Sequence, residues 1–532
     1  MNVYHRGVLI FEEPAVIVPR ENNIERFDMK LCKYLGASAA ATLLGTTATF
    51  ADVTAREVWS DWSGYLSSFG YQISAEEQGD GKTLKIIGFT AINALPDDSG
   101  QVVINLPDLE LTNRGDGTVS VSMAQHNPFM LDITPKDGEP VHLELDFFQT
   151  GLSMIVSGTA DEMTYASTAS EIGIGLQKLT VDGKPLPNAK FLLTGKDFIG
   201  KYVSRLGNLR VIEQQGAFGS LEYVLAFSDP NGSGGFDGDG VMQNVTYSGQ
   251  SQIPTSVDFS NLANAIRNGF SGSGSFSYAS SSGGYKVDDN GKITSSQSSS
   301  GEGSLEFELG EKGVMYGARS KDTKITMSIP ELPFPELAFA VAESGAKIRF
   351  PVMKSEDPQD YAFAIKFLDL ALPDEIWGMA DPMGALPHDP VTLALDISGQ
   401  AKLNFDIFDP KAAEEMGNQP PGEIETVDLN TLLLKLAGAE LSGNGHIRID
   451  NEDLASYGGT PKPVGEINLM LVGGNALLDK LVQMGLVPED QAMGFRMMLG
   501  MFAQPGDGED VLVSKIEFTE DGQVLANGQR LK

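Results

Sequence analysis

The sequence predicts a β-dominated α+β fold, built from extended antiparallel sheets in meanders and hairpins with a few covering helices. Short runs in which apolar and polar residues alternate recur along most of the chain, which is typical of half-buried strands. Asp-Gly and Asn-Gly pairs separate many of these runs, as at Asp182-Gly183 and Asn290-Gly291, and such pairs favour tight hairpin turns. Strands therefore follow strands, without the alternation of strand and helix that a parallel sheet requires.

Residues 29–51, MKLCKYLGASAAATLLGTTATFA, have the features of a secretory signal peptide that starts at Met29. Lys30 and Lys33 provide a basic start, and an uncharged run rich in Ala, Leu, Gly and Thr follows. Thr49-Phe50-Ala51 is a small-x-small cleavage site. We therefore expect export to the periplasm of a Gram-negative envelope. A retained membrane anchor is the alternative, although the apolar run is short for a membrane helix.

Cleavage at this site would make Asp52 the mature N-terminus, and no transmembrane span is expected after it. Residues 1–28 are then an upstream extension outside the native protein, with an ordered N-terminal arm as the alternative. Cys32 is the single cysteine, so the mature chain would have no disulfide, thiolate metal site or cysteine nucleophile.

The net charge of the chain is −34. Residues 1–51 carry five basic and five acidic residues, so the mature chain keeps the same charge. Such a chain repels phosphates instead of releasing their counterions, which excludes nucleic acid as a partner. Solubility in a salty exported setting is the simplest interpretation of this charge.

The mature chain is expected to open with a helix that Thr54 caps, since Val58, Trp62, Tyr65 and Leu66 recur at helical spacing. Alternating runs then predict strands. They lie at 83–93, 101–111, 118–123, 141–148, 152–158, 172–181 and 221–227.

Residues 271–303 are rich in Ser and Gly, a composition often found in flexible linkers. Phe276, Tyr278 and Tyr285 interrupt the small residues, and an Asp-Asn-Gly turn at 289–291 lies between two arms. We therefore expect thin polar strands in a long hairpin, with disorder as the alternative.

Two segments indicate an internal repeat of helix, tight turn and strand. Residues 257–276 and 427–447 both begin Val-Asp and both contain Ser-Gly-x-Gly, at Ser271 and Ser442. Phe259, Leu262 and Ile266 match Leu429, Leu432 and Leu436. We expect helices at 258–269 and 428–439, each followed by a strand, with chance similarity as the alternative.

The C-terminal part is expected to contain two helices and a closing hairpin of strands 511–518 and 524–531. The first helix has Leu477, Leu478, Leu481 and Val482 on one face, and the second, after Pro488, has Met493, Met497, Met498 and Met501. Burial against the hairpin is the default expectation for both stripes. Alternatively, Leu477, Leu481, Met493, Met497 and Met501 line an apolar groove, or the methionines ligate Cu(I).

These elements suggest three regions in the mature chain. An N-terminal β-rich lobe covers 52–256, and a middle β-rich region that opens with the first repeat helix covers 257–426. A C-terminal α+β region that opens with the second repeat helix covers 427–532.

No catalytic residues can be assigned from the sequence. The four mature histidines, His126, His142, His388 and His446, show no metal-ligand spacing, and we expect surface or turn positions for them. No Gly-x-Ser-x-Gly elbow occurs. Gly81-Lys82-Thr83 lacks the upstream glycine of a phosphate loop.

Residues 229–240, DPNGSGGFDGDG, resemble the first half of a calcium loop. The candidate ligands are Asp229, Asn231, Ser233, Asp237 and Asp239. Gly240 stands where the bidentate glutamate is needed, so we expect weak calcium binding or a plain polar turn, and no other cofactor.

Two stretches resemble a known family: residues 362–390, AFAIKFLDLALPDEIWGMADPMGALPHDP, and the block 443–531 with GNGHIRID and DGQVLANGQRL. They are similar to uncharacterised alphaproteobacterial proteins grouped as domain of unknown function 2125. More distantly, the helix-glycine-strand unit is similar to AsmA-like envelope proteins, which are thought to handle lipids or outer-membrane assembly. The resemblance implies no catalytic residues.

The leading hypothesis is a non-enzymatic periplasmic envelope protein that binds a lipid or a protein partner through an apolar sheet face or groove. A periplasmic hydrolase of an envelope polymer, or a structural module without ligand, are the alternatives. A continuous apolar groove would favour the first, and a deep cleft with two carboxylates about 5–9 Å apart the second.

Overall fold

A computed structural model describes residues 52–95, 99–186, 188–229, 234–417 and 420–532. Within these ranges, 28 strands form one antiparallel sheet, accompanied by six α-helices. The predicted β-dominated α+β fold class is therefore confirmed. The proposed extension 1–28 and signal peptide 29–51 lie outside the described residues. No helix in the described part of the chain is long and apolar enough to cross a membrane.

The N-terminal part consists of helix α1 (Ala55–Ser68) and thirteen strands. The first strands are β1 (Gln72–Gly79), β2 (Thr83–Ala94), β3 (Gly100–Asn105), β4 (Leu109–Asn113), β5 (Val119–Ser122), β6 (His126–Pro135), β7 (Val141–Thr150) and β8 (Ser153–Gly158). The others are β9 (Glu162–Val181), β10 (Lys184–Pro185), β11 (Lys190–Arg205), β12 (Leu209–Ser228) and β13 (Gly234–Pro254). The predicted strands are present, except that 101–111 is divided into β3 and β4.

Helix α1 begins where the sequence predicts. The Glu57 backbone N–H donates to the Thr54 hydroxyl (3.3 Å), and the Thr54 N–H donates to the Glu57 carboxylate (2.8 Å). This reciprocal capping box satisfies two N–H groups that the first helical turn leaves without partners. The inner face of α1 packs on the sheet through Trp59, whose ring lies edge-on to Phe89 at 5.0 Å.

The middle part contains α2 (Leu262–Arg267), preceded by a 3-10 turn at Phe259–Asn261. Its strands are β14 (Ser271–Tyr278), β15 (Ser280–Asp289), β16 (Lys292–Ser300), β17 (Gly303–Gly310), β18 (Gly313–Ser328), β19 (Leu337–Phe350) and β20 (Gln359–Leu370). The Ser- and Gly-rich segment therefore forms strands, as predicted, with a turn at Asn290-Gly291 between β15 and β16.

The C-terminal part alternates strands with short helical insertions. Its elements are α3 (Asp374–Ala380), β21 (Val391–Leu403), α4 (Ala412–Met416), β22 (Gly422–Leu436), β23 (Ala439–Asp450), β24 (Lys462–Val472), α5 (Gly474–Gln483), α6 (Glu489–Phe502), β25 (Gln504–Pro505), β26 (Val511–Phe518), β27 (Val524–Ala526) and β28 (Gln529–Arg530). The two predicted C-terminal helices are confirmed as α5 and α6. The last predicted strand, 524–531, is divided into β27 and β28 by a turn at Asn527-Gly528.

The predicted second repeat helix at 428–439 is wrong, and with it the internal duplication. Residues 427–436 belong to strand β22, and a turn at Ala437-Gly438 leads into β23. Both turn residues have positive φ (52° and 84°), as tight hairpins with primed turns require. Residue 427, where the third region was expected to begin, lies inside β22.

A strand bulge explains this error. Leu429 pairs with Gly445 and Leu432 with Gly443, so the register shifts between the two leucines. A bulge places residues three apart on the same side of a strand, which imitates the spacing of a helix. The first unit is helical over α2, but it has no structural counterpart at 428–439.

Four acidic or amide residues with left-handed backbone lie in line across the long strands. They are Asp197 (φ 52°), Asn244 (51°), Asp322 (48°) and Asp369 (51°). On the strand between those of Asp197 and Asn244, the register places Gly219 opposite both residues. Ala342 takes the same position on the strand between those of Asp322 and Asp369. We call this line the crease. Asp and Asn are the non-glycine residues that most readily adopt this conformation.

Side-chain alternation shifts by one residue at the crease. Met242 and Phe276 line the same cavity, so their side chains lie on the same side of the sheet. Tyr247 pairs with Phe276 and therefore also lies on this side, although it is five positions beyond Met242 in β13. In an uninterrupted strand, residues five apart face opposite sides. Asn244 lies between Met242 and Tyr247, and its left-handed φ keeps apolar side chains on one side of the sheet along the whole of β13.

The buried hydrophobic clusters lie in the N-terminal and middle parts. The largest joins α1 to the strands beneath it through Val58, Trp59, Ile86 and Leu111. Two smaller clusters surround α2, where Ala265 packs with Ile253 and Ile266 with Val352. α1 and α2 therefore each cover part of one side of the sheet.

The connection between β23 and β24 contains a carboxylate whose pKa differs between folded and unfolded chains. The Ser456 backbone N–H (3.0 Å), the Lys462 ammonium (3.0 Å) and the Ser456 hydroxyl (2.8 Å) contact Asp453. These contacts favour the ionised carboxylate and lower the pKa of Asp453 to about 2 from its usual 3.8. Because the pKa of Asp453 is lower in the folded chain than in the unfolded chain, the ionised carboxylate stabilises the fold at pH values above its unfolded-state pKa. This stabilisation is lost as pH falls towards 2.

We therefore expect Asp453→Asn to be less stable than wild type near pH 5, with the difference shrinking between pH 4 and pH 2. Urea unfolding of both proteins across this range measures it. Asp450→Asn, which removes a carboxylate 3.3 Å from the same ammonium, is the matched control. A difference that stays constant with pH would contradict the assignment to Asp453.

Candidate functional site

Three rows of apolar side chains cross strands β20, β21, β22, β23, β24 and β26 on the same side of the sheet. The first row is Phe367, Leu393, Leu434, Leu441, Leu471 and Leu512. The second is Ile365, Leu395, Leu432, Gly443, Leu469 and Ser514. The third is Phe363, Ile397, Leu429, Gly445, Ile467 and Ile516. We call these eighteen positions the apolar face.

No position of the apolar face is fully buried. Phe363, Phe367 and Leu434 are exposed, and the remaining large side chains are half-buried. The three buried clusters, by contrast, take their members from residues 53–353, with Phe408 at their edge. In the N-terminal and middle parts, α1 and α2 cover part of the apolar side of the sheet. On the apolar face no described helix buries the side chains in this way, so part of its apolar area remains accessible.

The opposite side of the same strands carries charge. Arg319 and Lys366 both pair with Glu343 there. Burial alone would raise the pKa of Glu343, but these two ion pairs outweigh it and leave the pKa below its usual value. Lys515 similarly pairs with Glu466 at 2.9 Å. The side opposite the apolar face therefore carries ion pairs, together with buried Thr392 and Ala394 and the exposed Met470.

The second row continues beyond β20 into a cavity of about 640 Å³. Ile365 pairs with Ala346, Ala346 with Ala318, and Ala318 with Leu305, so the row crosses β19, β18 and β17. The cavity is lined by Met242, Phe276, Leu305, Ala318, Ile365 and Phe367, among others. The apolar face and this cavity thus form one continuous surface.

A second cavity, of about 440 Å³, lies under α1 and is lined entirely by apolar and aromatic residues. Its lining includes Trp62, Tyr65, Phe129, Phe147, Ile174 and Tyr202. Ile172 lies on the same side of β9 as Ile174 and pairs with Gly195 of β11. Gly195 pairs with Leu221 of β12, and Leu221 pairs with Met242, which lines the first cavity. The same side of the sheet therefore connects the two cavities. Neither lining contains a carboxylate.

The predicted groove residues on α5 and α6 do not line these two cavities. Leu477 and Leu481 are half-buried, whereas Met493, Met497 and Met501 are among the most exposed large hydrophobic residues of the described chain. Burial of both stripes was therefore a wrong prediction for α6. Both helices are inserted between β24 and β26, which pair directly with each other; α5 lies close to β23, whereas the methionine stripe of α6 is exposed.

The candidate calcium ligands that the structure describes, Asp229, Asp237 and Asp239, do not belong to one loop. Strand β13 begins at Gly234 and carries the exposed Asp237 and Asp239, which pair with Lys286 and Gly284 of β15 on one side and with β12 on the other. Asp229 ends the preceding strand region, where its N–H donates to the Gly234 carbonyl (2.8 Å). Asn231 and Ser233 lie outside the described residues. Among described residues, no three His, Cys, Asp or Glu side chains are grouped to hold a metal.

Each of the four histidines in the described residues lies beside an aspartate. His126 contacts Asp146 and His142 contacts Asp132, both at 2.6 Å. His388 contacts Asp381 at 3.3 Å, and His446 contacts its register partner Asp428. His388 also stacks on Trp377 at 4.4 Å and holds the segment after α3. These contacts join neighbouring strands or a turn, and no residue spacing in the sequence predicts them.

The comparison with protein families agrees with the resemblance noted from residues 362–390 and 443–531. The model of a family described as "Uncharacterized protein conserved in bacteria (DUF2125)" matches residues 276–531. No curated protein matches the chain. The match supports a domain of unknown function, and it contains the whole apolar face and both C-terminal helices.

Proposed function

We propose that this protein is a non-enzymatic carrier that binds the acyl chains of a lipid on its apolar face, in the periplasm after export. One observation carries the proposal: fifteen large apolar side chains stand in three register-matched rows and none of them is fully buried. Large exposed apolar patches on a water-soluble chain mark sites where another molecule binds.

The chemistry of the face favours an acyl chain over a protein partner. Strands β20 to β24 each pair on both sides, so their backbone donors and acceptors are used within the sheet. The rows then present hydrocarbon at every position except Ser514, and the Leu469 and Ile467 side chains lie close over Gly443 and Gly445. Protein interfaces combine an apolar centre with hydrogen bonds, whereas an acyl chain has no polar group to satisfy.

The dimensions also suit a lipid tail. Neighbouring strands lie about 4.8 Å apart, so six strands span roughly 24 Å from first to last. Half of a bilayer hydrocarbon core is about 15 Å thick, which is the reach of one extended tail. The face can therefore hold a whole acyl chain, and its continuation into the 640 Å³ cavity provides space for a second.

The periplasmic location rests on the signal-like segment 29–51. Cleavage after Ala51 would leave Asp52 two residues before Thr54, so the capping box of α1 would remain intact. N-terminal sequencing of protein recovered from the periplasm should give Asp52. Membrane-associated protein that still begins at Met29 would contradict this part of the proposal.

Variants on the two sides of the sheet test lipid binding. Phe363→Ser/Leu434→Ser removes two exposed side chains of the apolar face, and Lys366→Ser/Lys435→Ser changes the opposite side of the same strands. Each apolar side chain contributes about 1.5–3 kcal/mol when fully buried. We therefore expect the first variant to bind a fluorescent fatty acid about 100-fold more weakly, and the second to bind like wild type.

Native mass spectrometry of protein from its own periplasm should also show a lipid-sized adduct on wild type and on the lysine variant only. Equal binding by both variants and wild type would refute the proposal, as would a co-purified protein on the apolar face in place of lipid. Melting temperatures of both variants serve as the folding control.

A further inference from the structure

We propose that the α5–α6 hairpin inserts its exposed apolar surface into the hydrocarbon of an uncharged lipid bilayer, so that the protein exchanges lipid directly with a membrane. This inference rests on the proposed lipid-binding function and names the source of the lipid. It is carried by a different part of the molecule, the helices inserted between β24 and β26.

Helix α6 exposes large apolar side chains along its whole length after the first turn. Met497 is 70% exposed, Met493 60% and Phe495 55%. Met498, Met501 and Phe502 are exposed as well, and Leu486 is exposed in the connection from α5. Ala492 is the single residue of α6 that is fully buried. A surface helix of a soluble protein normally shows the reverse pattern, with its apolar stripe turned inward.

The exposed side chains surround most of the helix. Each residue is rotated by about 100° about the helix axis relative to the one before it. Viewed down this axis, the side chains of Met493, Met497, Met501, Met498, Phe502 and Phe495 follow one another over an arc of about 200°. Leu499 and Ala492 occupy the inner side. A groove on another protein covers one stripe of a helix, about 100° wide. An arc twice that width is better matched by fluid hydrocarbon, which contacts a helix from every open direction.

The exposure is built into the fold, because both ends of the hairpin are fastened to the sheet. The Asp510 carboxylate accepts hydrogen bonds from the Asn475 side chain and the Ala476 N–H, both at 2.8 Å, at the start of α5. The Phe502 carbonyl at the end of α6 accepts from the Ser514 hydroxyl at 2.6 Å. These bonds tie both ends of the hairpin to the segment that leads into β26 and to β26 itself.

The hairpin is attached where the apolar face ends. α5 begins two residues after Val472 and α6 is followed by β25 and Val511, and these two valines pair with each other. The adjacent pair is Leu471 and Leu512, the last members of the first row of the apolar face. Hydrocarbon that surrounds the hairpin would therefore lie beside the end of the lipid-binding surface.

Length and charge specify how the hairpin meets a membrane. α6 has 14 residues, about 21 Å, which is too short to cross a hydrocarbon core of about 30 Å. It would therefore lie in the interface, with methionines that adapt to a fluid surface. Glu489 and Asp490 open the helix and Arg496 is paired with Asp479, so nothing on it attracts anionic head groups. Uncharged phosphatidylcholine vesicles are the appropriate probe.

Vesicle flotation tests the inference. Wild type should float with phosphatidylcholine vesicles, whereas Met497→Asp/Met501→Asp should lose at least nine-tenths of the floating fraction. Gln483→Asp/Gln504→Asp adds the same charge at two exposed positions, one at the end of α5 and one just after α6, and should float like wild type. Added salt should change wild-type flotation little, because the interaction is apolar.

Two further measurements separate this inference from the proposed function. Met497→Asp/Met501→Asp should bind the fluorescent fatty acid normally in the absence of vesicles, and Phe363→Ser/Leu434→Ser should float normally but fail to bind it. Wild type that stays at the bottom of the gradient would overturn membrane docking. A wild-type dimer in sedimentation that the methionine variant converts to monomer, without flotation, would overturn it as well, since a second copy would then cover α6.

Discussion

Arg210→Met is expected to lower the free energy of unfolding by about 3–5 kcal/mol. Arg210 and Asp61 form an ion pair whose side chains are 9% and 2% exposed. Tyr165 donates its hydroxyl proton to Asp61 (2.7 Å), and Ser204 donates to the same carboxylate (3.1 Å). Removal of the guanidinium leaves a buried carboxylate without its charged partner, which costs far more than the loss of a surface pair.

The position of this network explains why its loss should affect the whole N-terminal part. Asp61 belongs to α1, Tyr165 to β9, Ser204 to β11 and Arg210 to β12, so four elements meet at one carboxylate. Burial raises the pKa of the Tyr165 hydroxyl, and the Asp61 charge raises it further, so the phenol remains a donor. The same helix covers the 440 Å³ cavity.

Urea unfolding of Arg210→Met and two control variants measures the effect. Arg205→Met removes an exposed arginine that pairs with Glu213 at 2.8 Å on the same strand pair, and it should cost at most about 1 kcal/mol. Asp61→Leu/Arg210→Met removes both charges and should recover much of the lost stability. A loss for Arg210→Met no larger than for Arg205→Met would show that the pair is solvated.

Local signals of the sequence predicted the fold class and most elements. The capping box at Thr54 and the alternation of residues 83–93 depend on neighbours within a few positions, and both appear where expected. The Asn290-Gly291 turn likewise fixed the hairpin of β15 and β16, although serine-rich composition suggested a linker. Such features need no information about distant contacts.

The apolar face could not be assembled from sequence because it depends on register across six strands. Leu432 pairs with Leu395 and Gly443, which are distant along the chain. The bulge beside Leu429 gave β22 an apparent helical period, so its apolar side was assigned to a helix. The turn residues Ala437 and Gly438, which begin the return strand, were the local signal that could have corrected this.

Exposure of α6 was the opposite of the expectation for a related reason. The methionine stripe is visible in the sequence, but its environment depends on whether the strands on either side pair with each other. Val472 pairs with Val511, so both helices are an insertion between two directly paired strands, and Met497 is 70% exposed instead of packed on the sheet. Periodicity predicts which side of a helix is apolar, and it does not predict what lies against that side.

The crease had a sequence signal that alternation alone does not use. Asp and Asn are depleted in strands, yet Asn244, Asp322 and Asp369 interrupt the alternating runs MQNVTY, SKDTKI and FLDLAL. Their register alignment through Gly219 and Ala342 emerges only when the strands are paired. An Asp or Asn residue inside an alternating run therefore predicts left-handed backbone at that residue. The strand pairing shows that these residues are aligned across the sheet.

Replacement of the crease residues by valine is expected to cost about 3–6 kcal/mol in total for Asn244→Val/Asp322→Val/Asp369→Val. A side chain in left-handed backbone costs roughly 1–2 kcal/mol per residue, and β-branched residues tolerate it least. The effects should add, because Asp322 and Asp369 lie two strands, about 9.6 Å, apart.

The matching glycine variant, Asn244→Gly/Asp322→Gly/Asp369→Gly, isolates the backbone from the side chains. It loses the same polar groups, including the Asp369 carboxylate that accepts a hydrogen bond from the Thr392 hydroxyl (3.4 Å), but glycine adopts positive φ without strain. Urea unfolding should therefore give the glycine variant a clearly higher free energy of unfolding than the valine variant.

Because the crease keeps Met242 and Phe276 on one cavity wall, the valine variant should also bind the fluorescent fatty acid more weakly. Equal stability of the two variants would mean that the long strands do not depend on left-handed backbone at these positions.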